Sequence, residues 1–157
     1  MTNTQKNIIG LYSMMMAGGI LSVIPYSLFP MAGMACILVV WISAIVQKLR
    51  AKDDEIIRFH MSYINRTVLW SILVMMLCIF LFGCLVFFNG DMSAIKSMMR
   101  SAESGIILET GDVAMMQYEF VMANKDLIVW AALISFIPYP AYLIYKSVKG
   151  VRILLEK

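Results

Sequence analysis

His60 is the single histidine of the chain, and the residues following it are those with the clearest chemical use. Tyr63, Thr67 and Trp70 stand at +3, +7 and +10 from it, a spacing that puts all four on one face of a helix. Arg58, Asn65 and Arg66 lie close by on other faces. An imidazole titrates near neutrality, so among a phenol, a hydroxyl, an indole and a guanidinium it suits a proton-sensitive or ligand-contacting group where a helix enters a membrane. The same residues also fit a hydrogen-bonded interfacial position, with Arg66 reaching up to lipid phosphates while its stem stays among apolar groups. Catalysis with one histidine needs partners, and the sequence offers none. HExxH, P-loop, GxGxxG and GxSxG patterns are absent. Cys36, Cys78 and Cys84 lie inside apolar stretches with no CxxC or Cys/His cluster, as buried small hydrophobes do. The expectation is a protein without enzymatic activity, cofactor or metal.

A second local feature is Ile137-Pro138-Tyr139-Pro140. Two closely spaced prolines remove backbone donors and bend or break a helix. In transporters such a break marks a substrate site, whereas elsewhere it shapes packing. The candidate binding residues are therefore His60, Tyr63, Arg66, Thr67, Trp70, Pro138 and Pro140.

The elements carrying these residues are unusually apolar. Hydrophobic residues make up 61% of the 157, and the mean hydropathy is +0.81, which long apolar runs explain better than an oversized soluble core. Such runs fall near Ile8–Leu28, Met31–Leu49, Thr67–Phe88 and Leu127–Tyr145. Each holds about 20 residues, enough to cross a ~30 Å hydrocarbon layer as a helix. The first exceeds a signal peptide in length and lacks an A-x-A site, so it is expected to be a lasting helix.

Charge sets the orientation. Of the 13 Lys and Arg residues, Lys6, Lys48, Arg50, Lys52, Arg58, Arg66, Lys146, Lys149, Arg152 and Lys157 fall on one side of such a bundle. Only Lys96, Arg100 and Lys125 fall on the other. By the positive-inside rule both termini are cytoplasmic. Trp41, Trp70, Tyr142 and Tyr145 near the inner boundary, and Trp130 near the outer one, fit the aromatic belts of such a protein. A basic inner face suits an anionic leaflet and gives no reason to invoke nucleic acid.

The fold class is thus all-α: one polytopic membrane domain over residues 1–157, with four transmembrane helices and an external segment at 89–126. Small residues in Ala17-Gly18-Gly19 and in Ala32-Gly33 with Ala35 permit close helix approach. Pro25 and Pro30 bracket a short turn that forces an antiparallel hairpin. The echo of Ile137-Pro138-Tyr139 in Ile24-Pro25-Tyr26 is too short to be a repeat. Asp53-Asp54-Glu55 reads as a helix start that runs on into the third span. The external segment predicts two short amphipathic helices, with apolar stripes at Met92, Ile95 and Met99 and at Val113, Met116 and Phe120, punctuated by Gly105 and Gly111. Those stripes suit the lipid surface, the end of the bundle or a partner.

The stretch Asp54–Trp70 resembles a group of small proteobacterial inner-membrane proteins with an H-x-x-W/Y-x-x-R-T-x-W pattern after an acidic turn. These are distantly similar to bacterial relatives of a chloroplast inner-envelope import component. His60, Tyr63, Arg66 and Thr67 fall on the pattern, and Trp70 stands one residue beyond its last position. Tyr145-Lys146-Ser147-Val148-Lys149-Gly150 is similar to the group's closing Y-[RK]-x-x-[RK]-G, and Asn124 before the last helix is also typical. Arg58 and the long external segment depart from the more compact members. The resemblance implies a four-helix fold in a Gram-negative inner membrane, with no particular activity. If Tyr63 and Thr67 pack His60 against the end of the fourth helix, Lys146–Gly150 is its neighbour.

These features together lead to the expectation of a multi-pass protein of the bacterial inner membrane. It would act as a non-enzymatic accessory or scaffold subunit whose partners are membrane lipids and other membrane proteins or copies of itself. Small-residue helix faces and a Met-rich external segment would engage them, methionine being adaptable on a partner surface. Two other readings remain open: a small transporter or channel component binding a lipid or solute at the Pro138/Pro140 break, and an immunity or exclusion protein.

Overall fold

The computed structural model describes residues 2–24, 28–51, 54–105 and 109–156. Pro25, Tyr26, Lys52, Asp53 and Lys157 lie outside the described residues, and with them the echo of the Ile-Pro-Tyr tripeptide and the outer bracket of the first turn. The described residues form seven helices and no strand: α1 (Asn3–Leu21), α2 (Leu28–Arg50), α3 (Glu55–Asn89), α4 (Ser93–Glu103), α5 (Thr110–Ala123), α6 (Lys125–Phe136) and α7 (Pro138–Leu155). Three helical stretches are long and apolar enough to cross a membrane: α2, α3 and the run Lys125–Leu155 made by α6 and α7.

Local chemistry explains where these helices begin and end. Thr2 and Gln5 form a reciprocal capping box, so α1 starts at Asn3, five residues ahead of its apolar run. It ends at Leu21 rather than Leu28, where the Ser22 hydroxyl donates to the Gly18 carbonyl at 2.7 Å. At the start of α3 the Asp54 carboxylate accepts the Ile57 N–H at 3.0 Å, as an N-cap does. From there α3 continues for 35 residues without a breaker. Two prolines interrupt the last apolar run: α6 stops at Phe136 and α7 begins on Pro138, since each proline removes one rung of the hydrogen-bond ladder.

The chain divides into two compact units. The first comprises residues up to Cys78 and from Phe136 onward. At its centre lies α1, which buries Ile8, Tyr12, Met15, Gly18 and Gly19. It packs against α2 on one side and α7 on the other. Gly18 and Gly33 make the contact with α2: a Cβ on Gly33 would stand 2.6 Å from the Gly18 carbonyl oxygen and 2.5 Å from the Ser22 nitrogen. Only glycine allows that approach, as expected of small residues between packed membrane helices. Toward α7, Gly19 meets Leu143, and Gly150 lies against the Tyr12 ring. The apolar core draws on all four parts of the unit, including Val40 and Ala44 of α2, Met61, Ile64 and Val68 of α3, and Leu143 and Leu154 of α7.

The second unit, residues 79–135, contains the end of α3, then α4, α5 and α6. Two short helices stand where the sequence predicts them, and they pack on each other. Val113, Met116 and Phe120 form the half-buried face of α5, in line with its pattern. On α4 the half-buried residues are Ala94, Met98 and Ser101, while Ile95 and Met99 are exposed. Ala94 and Ser97 line an open groove between the two helices with Phe120 and Ala123. Gly105, with φ of 74°, takes the left-handed position that follows α4. Asn124 closes the unit: its side-chain oxygen accepts the Asp91 N–H at 2.6 Å and its amide nitrogen donates to the Asp91 and Phe120 carbonyls at 2.9 Å.

Candidate functional site

The first four candidate residues after His60 do converge. Tyr63, Arg66, Thr67 and Trp70 of α3, with Tyr142 and Lys146 of α7, line one open groove of about 430 Å³. The Tyr63 hydroxyl donates to the Lys146 carbonyl at 3.3 Å and ties the two walls together. Deeper along the same pair of helices the Tyr139 hydroxyl lies beside Ser71. These two cross-links pair rising numbers on α3 with falling numbers on α7, so the helices run antiparallel along the groove.

That arrangement gives the groove two ends. Arg66 and Trp70 are one turn apart on α3, and Lys146 and Tyr142 are one turn apart on α7. The antiparallel pairing sets Lys146 level with Tyr63 at one end, Arg66 level with Tyr142 in the middle, and Trp70 at the deeper end toward Tyr139. Lys146 Nζ stands 5.7 Å from the Tyr142 ring centroid, within cation–π range. Arg66 and the Trp70 ring are exposed, whereas Thr67 is buried in the floor. Among the described residues the one ion pair is Arg152 with Glu156, so neither groove cation is neutralised by a carboxylate.

His60 lies outside this groove. It is 1% exposed, and its Nδ1 meets the Tyr12 hydroxyl at 3.1 Å in the core of the first unit. The Tyr12 ring stands edge-on to the imidazole, with centroids 6.1 Å apart, and also against Tyr63, at 6.3 Å. Phe59 covers another edge of the imidazole at 5.3 Å. Gly150 gives the Tyr12 ring its place. Lys146–Gly150 does therefore border this cluster, Lys146 through Tyr63 and Gly150 through Tyr12. Tyr12 is the member that sequence reasoning missed. Its one signal is local, a place between Ile8 and Met15 on the inward stripe of α1.

Pro138 and Pro140 line neither the groove nor the His60 cluster. Pro138 is exposed and Pro140 half-buried in the first turn of α7. In that turn proline is tolerated and resets the helix.

Chemically the groove presents two cations, two phenols, a hydroxyl and an indole, a set that holds an anion and stacks an apolar chain but provides no nucleophile–base pair. Among the described residues no group of His, Cys, Asp and Glu is arranged to hold a metal ion. Comparison with protein-family models, curated proteins and solved structures finds no match to this chain.

Proposed function

We propose that the chain is a four-span protein of a bacterial inner membrane, with both termini cytoplasmic, and that it serves as a non-enzymatic accessory subunit binding another membrane protein. α1 supplies the fourth crossing. It packs between α2 and α7, two helices of membrane-spanning stretches, and a short link joins it to α2. The charge distribution and the resemblance of the His60–Thr67 stretch support the orientation and the membrane.

The observation that carries the partner-binding reading is on α5. Met115, Tyr118 and Met122 recur at i, i+3 and i+7 on the face away from Val113, Met116 and Phe120, and are 64%, 64% and 52% exposed. With Ile95 and Met99 of α4 also outward, the segment expected to stand outside the bilayer carries adaptable apolar side chains. The small-residue faces at Gly18 and Gly33 are used within the chain itself, which leaves this stripe as the partner surface.

A photo-crosslinking amino acid at Met115 or Tyr118, activated in native membranes, tests the reading. A discrete crosslinked product with one membrane protein is expected from both positions and not from Glu103. Labelling of lipid alone at every position would contradict it.

A further inference from the structure

The Arg66–Lys146 groove is not explained by partner binding through α5, and its layout has a chemistry of its own. Among the described residues neither Lys146 nor Arg66 is paired with a carboxylate; Tyr142 lies beside them, and Trp70 lies one helical turn deeper than Arg66. On α3 the cation precedes the aromatic, and on α7 it follows it, so two antiparallel helices repeat the same vertical order. In a bilayer whose cytoplasmic face meets the Lys146 end, the two cations stand toward the headgroups with Tyr142 beside them, and Trp70 stands at the upper acyl level, where indole groups reside.

We propose that this groove holds the phosphate of an anionic glycerophospholipid. Arg66 and Lys146 bind the phosphodiester, and an acyl chain runs down past Tyr142 and Trp70. Arginine offers a forked set of donors to phosphate oxygens, and lysine adds a mobile point charge. The Tyr63 bond to the Lys146 carbonyl links the two walls of the groove. The deeper Trp70 end distinguishes a lipid from free phosphate, which has no apolar part to place there. The proposal rests on the membrane reading above.

The test is native mass spectrometry of full-length protein released from nanodiscs of mixed phosphatidylglycerol and phosphatidylethanolamine. Wild-type protein is expected to retain phosphatidylglycerol preferentially. Arg66→Gln and Lys146→Gln each lower that retention about fivefold, as a headgroup-level cation should. Lys96→Gln leaves it unchanged. Fluorescence of the Trp41→Phe/Trp130→Phe double variant provides a readout that spares the cations: brominated phosphatidylglycerol should quench Trp70 more than brominated phosphatidylethanolamine. Equal quenching by the two lipids, or undiminished retention in the double Gln variant, would overturn the proposal. So would displacement of the lipid by inorganic phosphate. Alkaline carbonate extraction separates the two levels of the argument. Release of the wild-type protein from membranes contradicts the membrane reading, whereas inserted protein without lipid preference contradicts only this proposal.

Discussion

The Tyr12 hydroxyl and His60 Nδ1, 48 residues apart in the chain, meet at 3.1 Å inside the core of the first unit. The bond joins α1 to α3, and Gly150 of α7 lies against the hydroxyl end of the same ring. One aromatic side chain thus ties three helices together, and the chain's single imidazole is a packing element of that junction. The groove of Tyr63, Arg66 and Lys146 is built directly beside it, because the Tyr12 ring packs on Tyr63.

Tyr12→Phe keeps the ring and removes the bond, so it should lower stability by about 1 kcal/mol. Gly150→Ala drives a methyl group into that ring and should cost about 1–3 kcal/mol. Thermal unfolding in detergent micelles measures both. A Gly150→Ala variant as stable as wild type would show that α7 does not approach α1 as described.

The glycines of the helices should divide by environment rather than by helix propensity. Gly33→Ala places its Cβ against the Gly18 carbonyl and Ser22, and should destabilise the α1–α2 contact by about 1–3 kcal/mol. Gly83→Ala in α3 meets nothing within 4 Å, and should be neutral or stabilising by up to about 1 kcal/mol. The same unfolding measurement checks the contrast, and equal effects at the two sites would contradict it.

Asn124→Ala removes the acceptor for the Asp91 N–H and the donor to two carbonyls at a buried position, an effect on the order of 1–3 kcal/mol. The loss is expected to be local. Hydrogen exchange at Asp91 should accelerate markedly, while the amides of α1 keep their protection.

Asp91 also supplies a pH dependence. Its exposed carboxylate accepts the Ser93 N–H at 2.9 Å, and this bond, with Lys96 nearby, holds its pKa below the ordinary carboxylate value. A depressed carboxylate pKa contributes stability above the unfolded-state value, and that contribution is lost as pH falls through the lower folded-state value. The protection factor at Ser93, measured against its intrinsic exchange rate at each pH, should therefore fall in acid, and Asp91→Ala should abolish that dependence.

Much of the frame was legible because it depends on local chemistry. Asp54 caps α3, Pro138 opens α7, and Gly18 approaches Gly33, each from a residue type whose physical constraint is visible in the sequence alone. The Thr2/Gln5 capping box was equally present, as T-x-x-Q, and moves the start of α1 upstream of its apolar run. Two features were not legible. The Tyr12–His60 bond depends on the rotation of α1 relative to α3, which no spacing within either helix encodes. On α4 the apolar stripe predicts Ile95 and Met99, but the half-buried face carries Ala94, Met98 and Ser101, because the rotation of α4 against α5 is not encoded in the spacing of its apolar residues. In the site, the face of Tyr63, Thr67 and Trp70 was readable from one helix, whereas the split between a buried His60 and an open groove required the position of α7.

The most direct test of the account is the sidedness of single cysteines. In a protein with Cys36, Cys78 and Cys84 replaced, Thr4→Cys, Ser101→Cys and Lys149→Cys are treated with an impermeant maleimide on intact spheroplasts and on inverted membrane vesicles. Four crossings predict that Ser101→Cys reacts from the outer side, and that Thr4→Cys and Lys149→Cys react only from the cytoplasmic side. Labelling of Thr4→Cys and Lys149→Cys from opposite sides would mean that α1 does not cross, and would contradict the account.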